Sequence, residues 1–490
     1  MSILSGCFIN EVVHEAKKNS IFQTTDAVEI ELDLLISFHP SWPYNEDWWI
    51  WKAIEEETSV KLNTVAVPNN EYIDKVNLVI TSGNMPDIFT VGPASSRRLG
   101  ADGAFLELSS FIERMPNFKN FIEYSPETYH AALDADGNLY CFPYYGMGET
   151  NRRGWLCRED IFKKHNLQLP KDYNELYKVL VKLKETYPDS YPLGFRSGIK
   201  QFEMIGPQWN TSDDFYYDFD KKEWRYGPIE DSFKELVIFF NKLFKEGLMP
   251  PDWLTITTKQ WQDLMSTNCS FVTIDYIGRI DFFNIPMRSV NSDYKLSYMP
   301  PPAGKNGKQI FAYSHFAEGG VEIASTSNKV NSIIKLYDFL YSEEGKELTS
   351  WGKEGETYTI VNGVRKFINV NEMADIRKNY GITTNGAGVY FDYSSHMSTF
   401  SDELNTAIIE STKYDGKRQP SAVFKREELN GSAVADTAIK KHRDENIAKF
   451  ILGERDIKEW ANYVAEMKKL GVDEILNLYS AAYNRMTNIN

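Results

Sequence analysis

The run Val28-Glu-Ile-Glu-Leu-Asp-Leu-Leu-Ile-Ser-Phe38 decides the fold. Its first half alternates apolar and acidic residues and its second half is almost continuously apolar, the pattern of a strand that enters a buried sheet. After the loop His39-Pro-Ser-Trp-Pro-Tyr-Asn45, residues 46–58 have a helical pattern, and Lys61 to Val67 alternates as a second strand. Residues 71–82 predict another helix, and Asp87-Ile-Phe-Thr-Val91 is a short third strand after the turn Gly83-Asn-Met-Pro86. A β-α-β-α-β order implies a largely parallel sheet with helices on both faces. Ligands of such sheets sit in loops beyond the carboxyl ends of the strands.

Further along, Asp134-Ala-Asp-Gly-Asn138 reads as a hairpin turn before the strand Leu139 to Pro143. It starts like a calcium loop, but Tyr145 stands at the twelfth position, where a bidentate Glu is required. A second α/β region follows, with a strand at Gly154 to Cys157, a helix at Arg158 to His165, and a helix running to about Thr186. Asp172 is placed to cap that last helix, and Glu175 completes a capping-box spacing. A helix over 229–246 and a buried strand over Ser270 to Ile274 continue the region, until Met299-Pro-Pro-Pro302 and Ala303-Gly-Lys-Asn-Gly307 break it. Gly320 to Ser325 is a strand, 328–344 an amphipathic helix, and 454–470 and 472–487 are terminal helices. No short-period repeat is present.

A chain of 490 residues suits two lobes or a few domains. With 42% hydrophobic and 25% charged residues and no apolar run near the roughly 18 needed for a membrane span, disordered and transmembrane classes are excluded. The formal charge of −15 repels a phosphate backbone, so nucleic acid is not expected as a partner, and it weighs against anionic polymers such as alginate. The 11 Trp, 28 Tyr and 29 Phe supply flat amphipathic rings of the kind that line sugar sites, although most must pack the core. Cys7, Cys141, Cys157 and Cys269 lie far apart without a C-x-x-C pair or a nearby His, so no metal site is expected. No G-x-S-x-G elbow, H-E-x-x-H helix, Walker loop or G-x-G-x-x-G turn supports hydrolase, zinc or nucleotide chemistry. A glycoside hydrolase needs only two carboxylates roughly 5–9.5 Å apart, and that alternative stays open, as does a binder of peptides or other polar solutes.

Leu4-Ser5-Gly6-Cys7 resembles a bacterial lipobox, in which small residues expose the bond before a cysteine that then carries lipid. Only Met1 to Ile3 precede it, with neither a basic n-region nor an apolar h-region, so a truncated signal peptide is expected. The polar residues 8–26 suit a tether between anchor and body.

Several segments match a known family in order and spacing. They are Pro86-Asp-Ile-Phe89, Gly137-Asn-Leu-Tyr140 with Pro143, Arg158-Glu-Asp-Ile-Phe through Asn174-Glu-Leu176, Trp224-Arg-Tyr-Gly-Pro228 and Lys242-Leu-Phe-Lys-Glu-Gly-Leu248. Toward the C-terminus come Trp351-Gly-Lys-Glu-Gly-Glu-Thr-Tyr358, Lys449-Phe-Ile-Leu-Gly453, and Lys468 to Leu476 with Tyr479, Tyr483 and Arg485. Together they resemble the extracellular solute-binding proteins of ABC sugar transporters, in particular the LipO-like and alginate-binding branch. The resemblance implies a two-lobed periplasmic-binding-protein-like α/β fold (type II), each lobe a mainly parallel sheet flanked by helices, joined by a multi-crossing hinge. Crossings are expected near Phe142 to Tyr145, Ala303 to Ser314 and Thr383 to Tyr393. The first lobe would hold 28–142 and 313–380, and the second 143–312 and 381–490.

In function, the resemblance implies a non-catalytic, extracytoplasmic receptor for a carbohydrate, an oligosaccharide, which it delivers to ABC permease subunits. Such a receptor is a monomer, needs no cofactor, and in Gram-positive bacteria is held to the membrane only by a lipid, here on Cys7. Alginate-binding relatives carry an Asp/Asn-rich calcium loop after the helix ending near 186. Thr186-Tyr-Pro-Asp-Ser-Tyr-Pro192 offers one carboxylate there, so that calcium site is expected to be missing.

Strand ends and hinge segments nominate the ligand-binding residues. Trp42, Tyr44 and Asn45 follow the first strand, where a ring can stack on a pyranose and the amide can bond a hydroxyl, and Arg97 follows the third. Tyr144 and Tyr145 lie on the first crossing, whereas Trp48, Trp49 and Trp51 are assigned to the core. In the second lobe, Arg196 and Trp209 occupy loop-like sequence after Phe195. The segment Asp275-Tyr-Ile-Gly-Arg279 resembles the aromatic platform of maltose-type binders, with Tyr276 as the ring and Asp275 and Arg279 as polar partners. Tyr313, His315 and Glu318 near one crossing, and Tyr390, Phe391 and Tyr393 near another, complete the set.

Overall fold

The computed structural model describes residues 30–39, 42–147, 152–305, 307–312 and 319–488. In chain order the strands are β1 (Ile30–Phe38), β2 (Val60–Pro68), β3 (Ile88–Phe89), β4 (Phe142–Pro143), β5 (Arg153–Arg158) and β6 (Phe215–Asp218). They continue with β7 (Glu223–Tyr226), β8 (Val272–Tyr276), β9 (Leu296–Met299), β10 (Gly320–Ile323), β11 (Tyr358–Val361) and β12 (Val364–Phe367).

The first sheet has the order β2-β1-β3-β10-β4. β1 lies between β2 and β3 and runs parallel to both, with Leu34 opposite Thr64 on one side and Ile88 on the other. Helices cover both faces, which is why the consecutive residues Leu34, Leu35 and Ile36 of β1 are all apolar and buried. Leu32, Leu34 and Ile36 join a core with Ile54, Phe118 and Tyr337, while Leu35 faces the opposite way onto Val76 and Phe89. β10 inserts antiparallel between β3 and β4, although residues 144–319 separate it even from β4 in sequence. The chain therefore leaves this lobe after β4 and returns in β10.

The second sheet, β8-β5-β9, is antiparallel throughout, which departs from the expected mainly parallel arrangement. The segment that runs parallel, at Leu193, makes a single bridge to Val272, because Pro192 and Gly194 on either side limit any longer ladder. Trp155 and Cys157 on β5 face a core with Leu176, Leu180, Phe240 and Phe450, and Leu156 faces another with Trp261, Phe283 and Leu404. The terminal helices Arg426–Leu452, Trp460–Lys469 and Val472–Asn488 pack on the first of these.

Asp172 caps the helix Tyr173–Thr186 by accepting from the Glu175 amide, as the sequence indicates. The expected helix over 328–344 is instead two helices, Val330–Leu340 and Glu343–Ser350, because Ser342 caps the second by accepting from the Gly345 amide. Ile382, Ala387 and Val389 lie beyond the expected lobe boundary at 380 yet pack in the first core.

Two of the segments expected to cross between lobes pair with each other. The Tyr145 amide donates to the Val389 carbonyl at 2.9 Å, and the Phe391 amide donates to the Tyr145 carbonyl at 2.9 Å. Gly146 follows in left-handed backbone (φ 96°), and a Cβ there would stand 2.0 Å from the Phe391 carbonyl oxygen, so no other residue fits. Two exposed ion pairs also join the lobes, Lys425 with Asp136 at 3.2 Å and Arg426 with Asp102 at 2.5 Å.

Candidate functional site

On the second lobe the site is built where β8 ends and β5 begins. Tyr276, last on β8, lies opposite Arg153, first on β5. An Arg153 Nη2 donates to the Tyr276 hydroxyl at 3.1 Å, and its guanidinium lies 4.7 Å from the ring. Asp275, only 3% exposed, accepts four hydrogen bonds: two from Arg196 at 2.6 and 3.0 Å, one from Arg279 Nε at 3.0 Å and one from the Tyr276 amide at 2.9 Å. That carboxylate fixes both guanidiniums beside Trp261, at 5.3 Å for Arg196 and 5.5 Å for Arg279. Hydrogen bonding to Asp275 also holds the Arg196 guanidinium above its ordinary pKa. The arrangement presents one phenol ring framed by rigid planar donors.

On the first lobe, Trp42 turns back onto His39, whose ring stacks on it at 4.4 Å. Arg377, from the helix Met373–Tyr380, places its guanidinium 5.0 Å from the same indole and donates from Nε to the carbonyl and hydroxyl of Thr383. Thr383 adopts left-handed backbone (φ 61°), and its hydroxyl lies 3.4 Å from His396 Nε2. His396 is wholly buried; desolvation first and Arg377 second push it down to about 3. Burial alone brings Arg377 down to about 10, and among the described residues no carboxylate pairs with it.

The paired segments at Tyr145 and Tyr390 carry an aromatic cluster. Tyr145 and Tyr390 lie 5.8 Å apart, and Tyr124, 63% exposed, sits 5.8 Å from the first and 6.1 Å from the second. Lys346 covers the Tyr390 ring at 4.7 Å.

Several nominated residues sit otherwise than the sequence suggests. Trp209 is 4% exposed and packs on Tyr173 at 4.7 Å, so its indole belongs to the second core. Arg97, in the helix Pro93–Ala101, donates to the Ala131 carbonyl at 2.7 Å, which ties that helix to the helix Pro126–Ala132. Asn45 accepts from the Asp47 amide as part of the turn into the helix Trp49–Thr58, and Tyr44 packs on Trp48 and Trp51. The Tyr144 hydroxyl accepts from the Gly386 amide, and Phe391 is buried edge-on against Tyr144. Tyr393 packs on His396 and Phe400. Tyr313, His315, Glu318 and Cys7 lie outside the described residues.

Arg153, Arg377, Tyr124 and Trp261 were not nominated. Arg153 alone had a usable signal, since it opens a strand that must pair with a neighbour. The β6–β7 hairpin, residues 307–312 and residues 416–421 border a groove of about 1220 Å³, lined by Tyr216, Tyr217, Phe219, Lys308 and Lys417 among others. Among the described residues, no group of three or more His, Cys, Asp or Glu side chains is placed to hold a metal, and no helix is long and apolar enough to cross a membrane.

Two cores joined by chain crossings, with side chains gathered at the strand ends beside them, define a binding-protein architecture. Residues 47–347 match the family described as bacterial extracellular solute-binding protein, and the chain belongs to that family. It is similar to lipoprotein LipO of Bacillus subtilis (strain 168), 25% identical over 98% of this chain and 96% of that protein. It is also similar to the fructooligosaccharide ABC transporter substrate-binding protein FusA of Streptococcus pneumoniae serotype 4 (strain ATCC BAA-334 / TIGR4), 22% identical over 89% of this chain and 86% of that one. Among solved structures, the alginate-binding protein AlgQ2 without calcium ion superposes with a TM-score of 0.73 at 24% identity, covering 94% of this chain and 99% of that one.

Proposed function

We propose that the chain is an extracytoplasmic receptor that encloses an oligosaccharide between its lobes and passes it to an ABC permease without chemical change. The observation that carries this reading is the family match, which runs from the first lobe through the second and back into the first. The relatives' names support a carbohydrate and cover both a neutral glycan and an acidic one. Tyr276, held by Arg153 and flanked by the Asp275 pair, is the ring on which a sugar stacks, and the Tyr145–Tyr390 junction is the pivot. Ligand that touches both lobes only when they close favours the closed form, and a permease reads that population. Lipid on Cys7 would keep the receptor at the membrane, a reading supported by its similarity to a lipoprotein.

A thermal-shift screen over a glycan panel tests this directly, because a ligand of the native state raises Tm by mass action. The expected result is a shift with at least one oligosaccharide, stoichiometric heat in calorimetry, no released product, and an affinity loss of about tenfold or more in Tyr276→Ala with the fold kept. Turnover of a glycan would replace the receptor by an enzyme.

A further inference from the structure

We propose that the ligand is acidic: a carboxylate-bearing oligosaccharide whose carboxylates are received by Arg153 and Arg279 on the second lobe and by Arg377 on the first. This rests on the carbohydrate reading above and narrows it.

Around Tyr276 the guanidiniums of Arg153, Arg196 and Arg279 stand 4.7, 5.7 and 6.0 Å from one ring. Among the described residues Asp275 is the one carboxylate that pairs with any of them. It accepts from Arg196, Arg279 and the Tyr276 amide, and Arg153 donates instead to the Tyr276 hydroxyl. Among the described residues, three positive charges against one negative leave an excess of two on a half-buried surface. The first lobe repeats the imbalance independently. Arg377 is half-buried, makes its hydrogen bonds through Nε to Thr383, and faces an indole, with no carboxylate paired to it among the described residues.

A guanidinium without a counter-ion in a partly dehydrated place costs free energy, and a protein with 69 acidic residues has ample carboxylates to cancel it. Both uncancelled groups lie at hinge-proximal ends. β5 begins at Arg153 soon after the first crossing, and the helix bearing Arg377 leads into the third. A carboxylate enclosed there supplies the missing charge and accepts the planar two-donor fork in register. The overall charge of −15 therefore says little about the ligand, because the field at the strand ends has the opposite sign and is local.

The test is calorimetry on the full chain with galacturonate, mannuronate and guluronate oligosaccharides, each as the free acid and as its carboxyl methyl ester, beside neutral fructo- and malto-oligosaccharides. At least one acid is expected to bind about tenfold or more tightly than its ester, with a Kd that rises as salt is added. Arg153→Gln should shrink the acid-to-ester ratio, and Arg153→Lys should recover part of it by charge without the fork. The wild-type acid-against-ester comparison stands even if a variant does not fold. Equal binding of acid and ester, or binding of neutral sugars alone, overturns this inference and leaves the receptor reading intact. No binding of any sugar in either arm overturns both.

Discussion

Arg196 and Arg377 each lie beside an indole, 5.3 Å from Trp261 and 5.0 Å from Trp42, but their surroundings differ in sign. On the second lobe a buried carboxylate holds Arg196 and Arg279 in one geometry, and the same contact raises the pKa of Arg196. On the first lobe Arg377 has backbone, hydroxyl and ring partners only, and burial lowers its pKa to about 10. The second wall is thus assembled before any ligand arrives, whereas the first keeps an uncompensated charge next to a histidine that is already neutral. Preorganisation and stored electrostatic cost are different ways to favour one ligand, and they respond oppositely to mutation.

The largest contrast comes from Asp275→Ala. It removes the carboxylate while leaving two guanidiniums in place, and denaturant unfolding should register a loss of about 3–5 kcal/mol, together with loss of binding. An unchanged midpoint would mean that Arg196 and Arg279 swing into solvent and that the second wall is not rigid.

Acid should act on the first wall next. His396 has a folded pKa of about 3 against an ordinary 6.5, so the unfolded chain takes up a proton below pH 6.5 and the folded chain does not until near pH 3. Its contribution is complete above pH 6.5 and falls as pH drops, amounting to about 2 kcal/mol lost by pH 5. His396→Gln should flatten that slope between pH 7 and pH 5. Parallel pH profiles for variant and wild type would place the acid sensitivity elsewhere.

The smallest effect on stability, and the sharpest for the comparison, belongs to Arg377→Met. Replacing a half-buried cation that has no carboxylate partner among the described residues by an apolar chain of similar length should leave unfolding within about 1 kcal/mol of wild type, since the relieved desolvation offsets the lost cation–π contact and the lost Nε hydrogen bonds to Thr383. Binding of an acidic ligand should nevertheless weaken. A fall in stability as large as that of Asp275→Ala would make Arg377 a structural residue like its second-lobe counterpart.

Much of the first lobe was legible because its information is local. The apolar run of β1, the flanking helices and the Asp172 cap each depend on residues a few positions apart. Proline and glycine also mark where regular structure stops near Tyr145 and Tyr390, two segments that pair in the fold. The site was less so. Trp209 lies in sequence that looks like a loop, yet that loop folds under Tyr173 and Phe239 and takes the indole out of solvent. Arg153 meets Tyr276 only through the register of two strands far apart in the chain, and no local pattern encodes that register. Tyr144 and Phe391 turn inward because the two paired segments present their backbone to each other.

By itself, then, the sequence determined the class of architecture, the order of its elements and the aromatic supply for a sugar site, because periodicity, capping and turn chemistry are written in neighbouring residues. Tertiary structure decided which rings are buried, the antiparallel order of the second sheet, and above all the charge of the site. Net charge is a sum over the whole surface. The field a ligand meets depends on which few arginines lack a carboxylate within reach, and only the folded chain sets those distances.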